Sequence, residues 1–410
     1  MRYIQKKKAL YKKDPIELKC VTMTIRKIFS REFLLTFSAQ LTFSSSLFIL
    51  IPTLPIYLAR LGSAEAEIGI LIGASSVSSL ILRPFVGNAL LRFPERNFMF
   101  GGALLFALCS IAYIFLSPFW PFLLIRVFQG FGFALFYTAS TTFIANISPE
   151  AHRGQSIGYF FLAFNFAFAL APSFGMFLLN HFNFTILFLV CTALSLSSLF
   201  LSTRLKKREA NVSEIPATED RSFLSKKALP PAILAFFTHI IWGALTAFFP
   251  LYALEHGMSN PGLFFAAFAV MLILGRTFGG RILDLYSREK VIFPCLLTYI
   301  IATLILAFSQ TTPMFILAAV IWGAGNAFAF PAFVALVIDL AGPARGPALG
   351  TFTALSDLGV GLGAVIMGIV LRLTNFQTMF LFLAFTGIIN FTYFYLFVMK
   401  KGTLNRAIYI

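Results

Sequence analysis

The chain has 410 residues, 59% of them hydrophobic and 12% charged, with a formal net charge of +16. A soluble domain is about one quarter charged, so this composition excludes an ordinary water-clothed globule and implies a polytopic membrane protein. The positive excess would suit nucleic acid, but its distribution argues instead for loops facing an anionic lipid leaflet.

Residues 1–31 are basic, with Arg2, Lys6, Lys7, Lys8, Lys12, Lys13, Lys19, Arg26, Lys27 and Arg31. The stretch is too long and too charged for a signal n-region, and the apolar run after it is too long for an h-region. It reads as a cytoplasmic tail. Twelve apolar segments follow, at 33–59, 68–91, 98–117, 119–145, 155–180, 184–203, 231–255, 262–284, 291–310, 313–339, 347–371 and 376–399. Pro, Gly and charge clusters mark the breaks, some as short as Ser117-Pro118. A hydrophilic stretch rich in Lys, Glu, Asn and Ser separates the sixth segment from the seventh. The expected organisation is a tail over 1–30, a six-helix bundle over 31–203, a cytoplasmic linker over 204–229, a second six-helix bundle over 230–400 and a tail over 401–410.

With the N-terminus inside and strict alternation, 28 of the 32 Lys and Arg fall in inner loops, tails or inner helix ends, Arg83 among them. Outer positions hold Arg60 and Arg372, and Arg126 and Arg276 lie within spans. Both termini are therefore expected in the cytoplasm of a plasma membrane (the inner membrane of a bacterium), as the positive-inside rule requires. Cys20, Cys109, Cys191 and Cys295 show no metal-ligand or disulfide spacing. No metal or cofactor is expected, and no nucleotide loop or nucleophile–base pair suggests an enzyme.

The two halves can be laid over each other. Arg153-Gly154 matches Arg345-Gly346 at an offset of 192, as Gly158 matches Gly350 and Asn165 matches Asp357. Arg83 and Gly87 match Arg276 and Gly280 at 193, as Gly130 and Gly132 match Gly323 and Gly325. Pro55-Ile56-Tyr57 matches Pro250-Leu251-Tyr252 at 195. Single glycine matches are cheap, but ordered matches at a near-constant offset imply a parallel repeat. That is a known transporter plan, with cargo bound near the midplane between the halves.

At this point the chain resembles the major facilitator superfamily, over about residues 30–400. The family's loop signature, Gly-x-x-x-Asp-x-x-x-Arg-x-Lys, is similar to Gly280-Arg281-Ile282-Leu283-Asp284-Leu285-Tyr286-Ser287-Arg288-Glu289-Lys290. The first-half copy keeps Arg83, Pro84 and Gly87 but has Leu91 at the family's acid. Arg126-Val127-Phe128-Gln129-Gly130 is similar to the family's Arg-x-x-Gln-Gly pattern. Ala171-Pro172-Ser173-Phe174-Gly175 resembles a weakened efflux-branch signature. The resemblance implies an all-α fold of twelve membrane helices in two pseudo-symmetric bundles. It also implies a gating latch built on Asp284, Gly280, Arg281, Arg288, Arg83 and Gly87, although Asp284 would equally pass for a plain surface acid at a helix end.

Several polar groups sit where lipid makes them costly. Asp357 lies about twelve residues into its span, roughly 18 Å at ~1.5 Å per residue, near the middle of a hydrocarbon core ~30 Å thick. A carboxylate there must be paired, hydrated or protonated. It is the candidate coupling site, protonated in one state and ionised in another. The bland alternative is a neutral acid bonded to a hydroxyl or carbonyl. Arg126 needs a partner or a watery cavity at its depth, so Arg126 with Gln129 is either a relay or a structural pin. Asp339 reads as a helix-end contact. Gln40, Ser44, Asn165, His239, Trp242 and Asn326 are candidate pocket residues, with simple helix packing as the alternative. Most of the 52 phenylalanines are expected to face lipid. The implied protein is a monomeric secondary transporter in a lipid bilayer, working by alternating access. It would couple protons to efflux of a small organic molecule such as a drug, a sugar or a siderophore-like metabolite. Uptake on the same fold and a non-transporting membrane sensor are the alternatives. Nucleic acid is not an expected partner.

Overall fold

In a computed structural model the chain is described over residues 29–116, 119–149, 153–206, 225–279, 285–341 and 345–399. The expected tails, most of the linker, and Gly280, Arg281 and Asp284 of the loop signature lie outside these residues. Twelve long helices are described: α1 Arg31–Arg60, α2 Glu65–Ala89, α3 Glu95–Ala112, α4 Trp120–Ile147, α5 Arg153–His181, α6 Phe184–Thr203, α7 Leu229–Glu255, α8 Gly262–Gly279, α9 Arg288–Phe308, α10 Thr312–Ala341, α11 Arg345–Leu373 and α12 Phe376–Tyr393. Among the described residues, ten helical spans are long and apolar enough to cross a membrane. Of the other two, α3 opens on the charged pair Glu95-Arg96, and α8 is described over 18 residues. All-helical structure follows from the solvent, since lipid offers backbone groups no hydrogen bonds and a helix satisfies them within itself.

The turns 61–64, 182–183, 256–261 and 374–375 lie at one end of the bundle, here the distal face. The other end, the proximal face, carries Phe29, the 90–94 turn, Lys206 and Ser225. There the Lys206 backbone N–H donates to Glu32 Oε2 at 3.1 Å, and Asn146 Nδ2 donates to Glu95 Oε1 at 2.7 Å.

The repeat is visible in equivalent local solutions. Gly62 and Gly257 adopt φ of 84° and 77° after α1 and α7, a left-handed conformation that glycine adopts without strain. Asn183 and Asn375 cap α6 and α12, each side chain accepting a backbone N–H three residues on at 2.9 Å. Tyr57 OH donates to the Tyr113 carbonyl beyond α3 at 3.0 Å, and Tyr252 OH donates to the Leu306 carbonyl in α9 at 3.0 Å. Within the first half α4 packs against α2 and α3 as α10 packs against α8 and α9 in the second. Gly130 lies against Ser75 of α2 as Gly323 lies against Phe268 of α8, and Gly132 against Gly102 as Gly325 against Cys295. Each of these neighbour pairs repeats the offset of 193.

Two expectations change. Among the described residues more phenylalanines are buried than exposed. Phe43 stacks on Phe136 with centroids 4.0 Å apart, and Phe249 on Phe264 at 3.8 Å. Offset rings fill irregular space between helices, so the interior takes these residues as readily as lipid does. Arg83, counted above as an inner-loop cation, lies inside α2, because the helix runs through Pro84 to Ala89.

Candidate functional site

The halves meet through α2 against α11, α5 against α8 and α1 against α7. On the α2–α11 seam the small residues Gly69 and Gly73 face Ala364 and Gly361. A Cβ on Gly73 would come 2.6 Å from the Gly361 carbonyl oxygen, which no packed side chain tolerates. Small residues let helices approach this closely in lipid, where packing drives association. At the distal edge Gly368 lies against Glu65 and Ala66, and Gly262 of α8 lies against Pro172 and Ser173 of α5. Asn180 Nδ2 donates to the Ser259 carbonyl at 3.0 Å across the same seam. Slightly deeper, the buried Phe168 of α5 enters an aromatic nest of the other half, 5.3 Å from Trp242 and 5.8 Å from Phe268.

Proximal to this seal stand two polar pairs that cross the halves. Arg83 Nη1 of α2 lies 2.8 Å from Asp357 Oδ2 of α11, the two side chains 21% and 22% exposed. Arg276 Nη1 of α8 donates to Asn165 Oδ1 of α5 at 3.5 Å. Arg83 and Arg276 are repeat equivalents, and so are Asp357 and Asn165. The pairs are therefore one contact made twice, each half lending the arginine once and its partner once. Among the described residues, the hydrogen bonds and ion pairs joining the halves stop at this level. The Arg83 guanidinium also lies 5.5 Å from the Phe133 ring and 5.7 Å from the Tyr137 ring, within cation–π range. Its Nε has no hydrogen-bond partner. An ion pair about one fifth exposed is worth little as glue, although Arg83 Nε and Asp357 Oδ2 are themselves buried.

Arg126 is different. It is buried, and Nε donates to the Leu71 carbonyl at 2.7 Å. Nη2 donates to the Ile72 carbonyl at 3.0 Å and to Ser75 Oγ at 2.6 Å, while Nη1 donates to Gln129 Oε1, which also accepts from Tyr113 OH. All these partners are neutral and belong to the first half. Ser75 and Arg83 are eight residues apart on α2, about 12 Å at ~1.5 Å per residue. Arg126 and Gln129 are thus not brought together with Asp357.

The other sequence candidates divide. Gln40 and Ser44 are buried at 1% exposure. Gln40 Nε2 donates to Ser44 Oγ at 2.8 Å and Gln40 Oε1 accepts from Ser140 Oγ of α4 at 2.8 Å, so they tie α1 to α4. Asn165, His239, Trp242 and Asn326 are half-buried on inward faces. His239 Nδ1 bonds the Ala235 carbonyl at 2.7 Å, and its ring lies 6.1 Å from Phe330. Asn326 Nδ2 donates to Tyr299 OH at 2.9 Å. Trp242 lines the aromatic nest. Gly87 is exposed with nothing packed over it. Arg288 Nε pairs with Asp339 Oδ2 at 3.4 Å, joining α9 to α10 at the proximal face.

Tyr137, Phe164 and Phe168 were not legible as site residues. The Tyr137 ring lies 5.7 Å from the Arg83 guanidinium and 5.9 Å from Phe164. Phe168 follows Asn165 by three positions, on the same helix face. That spacing was the available signal, but it does not stand out in so Phe-rich a chain.

The family model described as Major Facilitator Superfamily matches residues 36–275 and 261–407. The staphylopine export protein of Staphylococcus aureus strain Mu50 is 25% identical over 370 residues, covering 85% of this chain and 91% of that protein. The quinolone resistance protein NorA of Staphylococcus aureus strain COL is 24% identical over 338 residues, covering 78% and 84%. Among solved structures, a POT family transporter in complex with a thioalcohol-conjugated peptide aligns at TM-score 0.76 and 15% identity, over 90% of this chain and 96% of that one. The nucleoside transporter NupG aligns at TM-score 0.73 and 15% identity, over 90% and 100%. At these identities the structural likeness carries the fold. Twelve described helices with ten apolar spans, a doubled six-helix plan and the family match across nearly the whole chain converge: this is a multi-pass membrane transporter of a small molecule, not an enzyme, and it belongs to the major facilitator superfamily.

Proposed function

We propose that the protein is a proton-coupled exporter of a small organic molecule from the cytoplasm, working by alternating access as a monomer in the plasma membrane. The proximal face is the cytoplasmic one, since the basic loops and tails belong to it. Among the described residues the halves touch at the distal face, and the hydrogen bonds and ion pairs between them stop at the two polar pairs, an arrangement that fits a cleft open to the cytoplasm. Efflux is favoured by the names of the two staphylococcal relatives.

The observation that carries the coupling is the Arg83–Asp357 pair, 2.8 Å long and shared between halves. Asp357 is the acid within the α2–α11 seam, and α2 with α11 also forms the distal seal. With Asp357 ionised, the pair ties these helices together on the cytoplasm-open side. A proton on Asp357 removes the charge attraction, frees Arg83 and loosens the seam, which favours the distal-open state. Alternating protonation and deprotonation of Asp357 would then bias the cycle, because each protonation state prefers a different arrangement.

The test is transport in inverted vesicles with an imposed pH gradient, using a metabolite and dye mixture read by mass spectrometry. Accumulation that collapses with the gradient and is lost in Asp357→Asn at normal protein level is expected. Gradient-driven flux unchanged in Asp357→Asn would reject the coupling role.

A further inference from the structure

The two crossing pairs match in position and differ in charge. Arg83 meets a carboxylate at 2.8 Å. Arg276, its repeat equivalent, meets the neutral amide oxygen of Asn165 at 3.5 Å. Arginine stays protonated in proteins, and a guanidinium at membrane depth with one long bond to an amide is uncompensated. The Tyr137 ring lies 5.7 Å from the Arg83 guanidinium and 5.9 Å from Phe164, which precedes Asn165 in sequence, so both pairs border the same ring. Among the described residues, the charged side chains there are two arginines and one acid, a net charge of +1. Where the first pair has its acid, the second has a side chain that accepts from Arg276 through Oδ1 and still holds two amide donors on Nδ2. Aspartate would fill the same space and repel an anion; asparagine welcomes one. The rings beside the pairs, Tyr137 with Phe161 at 6.4 Å and Phe164 at 5.9 Å, offer an apolar wall.

We propose that the cargo supplies the missing carboxylate: the site takes an organic anion, its carboxylate held by Arg276 and Asn165 and its apolar body set against Tyr137, Phe161 and Phe164. This rests on the reading of the cleft as the cargo site. The planar guanidinium fork matches a carboxylate through two parallel hydrogen bonds. Cationic cargo would meet two fixed positive charges and is disfavoured.

The test uses the purified full-length protein in detergent micelles at fixed pH with no gradient. Binding of naphthoate, its carboxamide and naphthylmethylammonium is measured by calorimetry, alongside thermal midpoints. The wild type is expected to bind naphthoate at least about tenfold tighter than either analogue, the effect of one charge-assisted hydrogen bond. Arg276→Gln is expected to lose that preference. Asn165→Asp gives Arg276 an internal carboxylate, copying the Arg83–Asp357 pair, and is expected to weaken naphthoate at least about tenfold with an unchanged thermal midpoint. Should Arg276→Gln fold poorly, Asn165→Asp decides alone. Naphthoate that binds the wild type no tighter than the ammonium analogue, or equally well to Asn165→Asp, overturns the proposal. The readout needs no gradient. A wild type that binds naphthoate yet moves nothing in vesicles overturns the efflux reading and leaves this one standing, whereas export of the ammonium analogue does the reverse.

Discussion

Two membrane-embedded arginines, Arg126 and Arg83, solve the same problem in opposite ways. Arg126 is enclosed in one half, and its nitrogens are spent on helix carbonyls, a hydroxyl and an amide. Arg83 reaches across to the other half, meets one carboxylate and remains about one fifth exposed. A charge bound by many neutral groups has no second state to move to. A charge bound by one titratable group across a seam changes partners when that group takes a proton. On the proposed coupling, the family pattern around Arg126 would serve architecture and Arg83 the moving joint.

Four measurements press on this contrast. Arg126→Leu should have the largest effect, since it removes four hydrogen bonds from a buried charge, a loss of ~3 kcal/mol or more. Little monodisperse protein should survive solubilisation, and an active, well-folded Arg126→Leu would erase the distinction. Gly73→Leu comes next. The added side chain meets the Gly361 backbone, so α2 and α11 cannot close. Transport should stop while a cysteine placed near the 61–64 turn becomes permanently labelled from the distal side. Asp357→Asn should cut gradient-driven flux at least about tenfold, or ~1.4 kcal/mol, with yield and thermal midpoint near wild type. Because the pH response is assigned to this acid, residual flux in the mutant should not vary with pH. The smallest effect belongs to Tyr57→Phe and Tyr252→Phe. Each deletes the hydroxyl of an equivalent bond and should cost about 1 kcal/mol, by equal falls in thermal midpoint. Unequal falls would show that the halves are not energetically matched.

The span pattern was legible because lipid imposes one rule on every residue of a span, and the near-constant offset survived in glycines and tyrosines that pack against backbone. The seam was harder. Arg83 counts with the inner-face cations although its segment, 68–91, runs on through Pro84, and a membrane helix tolerates proline when neighbours satisfy the freed groups. That Asp357 pairs with Arg83 depends on how two distant helices lean together, which no local pattern encodes. The repeat did hold a hint. If an arginine of one half reaches a residue of the other, the pseudo-symmetry repeats that contact in mirror roles, and Arg83, Arg276, Asn165 and Asp357 were already matched in pairs. The latch expected around Asp284 falls outside the described residues, while Arg288 pairs with Asp339 across a half-exposed gap, a contact of small energetic weight.

The amide at Asn165 also has an electrical consequence. With Arg276 uncompensated, the empty cleft carries a net positive charge within the membrane field, and an anion seated there cancels it. Any fraction of the field that this charge crosses does work, up to ~2.3 kcal/mol per 100 mV for a full crossing. An interior-negative voltage would draw the empty, positive cleft back toward the cytoplasm and leave the loaded, neutral one indifferent. On this scheme the membrane potential resets the carrier while the proton on Asp357 loosens it, and clamping the voltage to zero should slow the return stroke without weakening cargo binding.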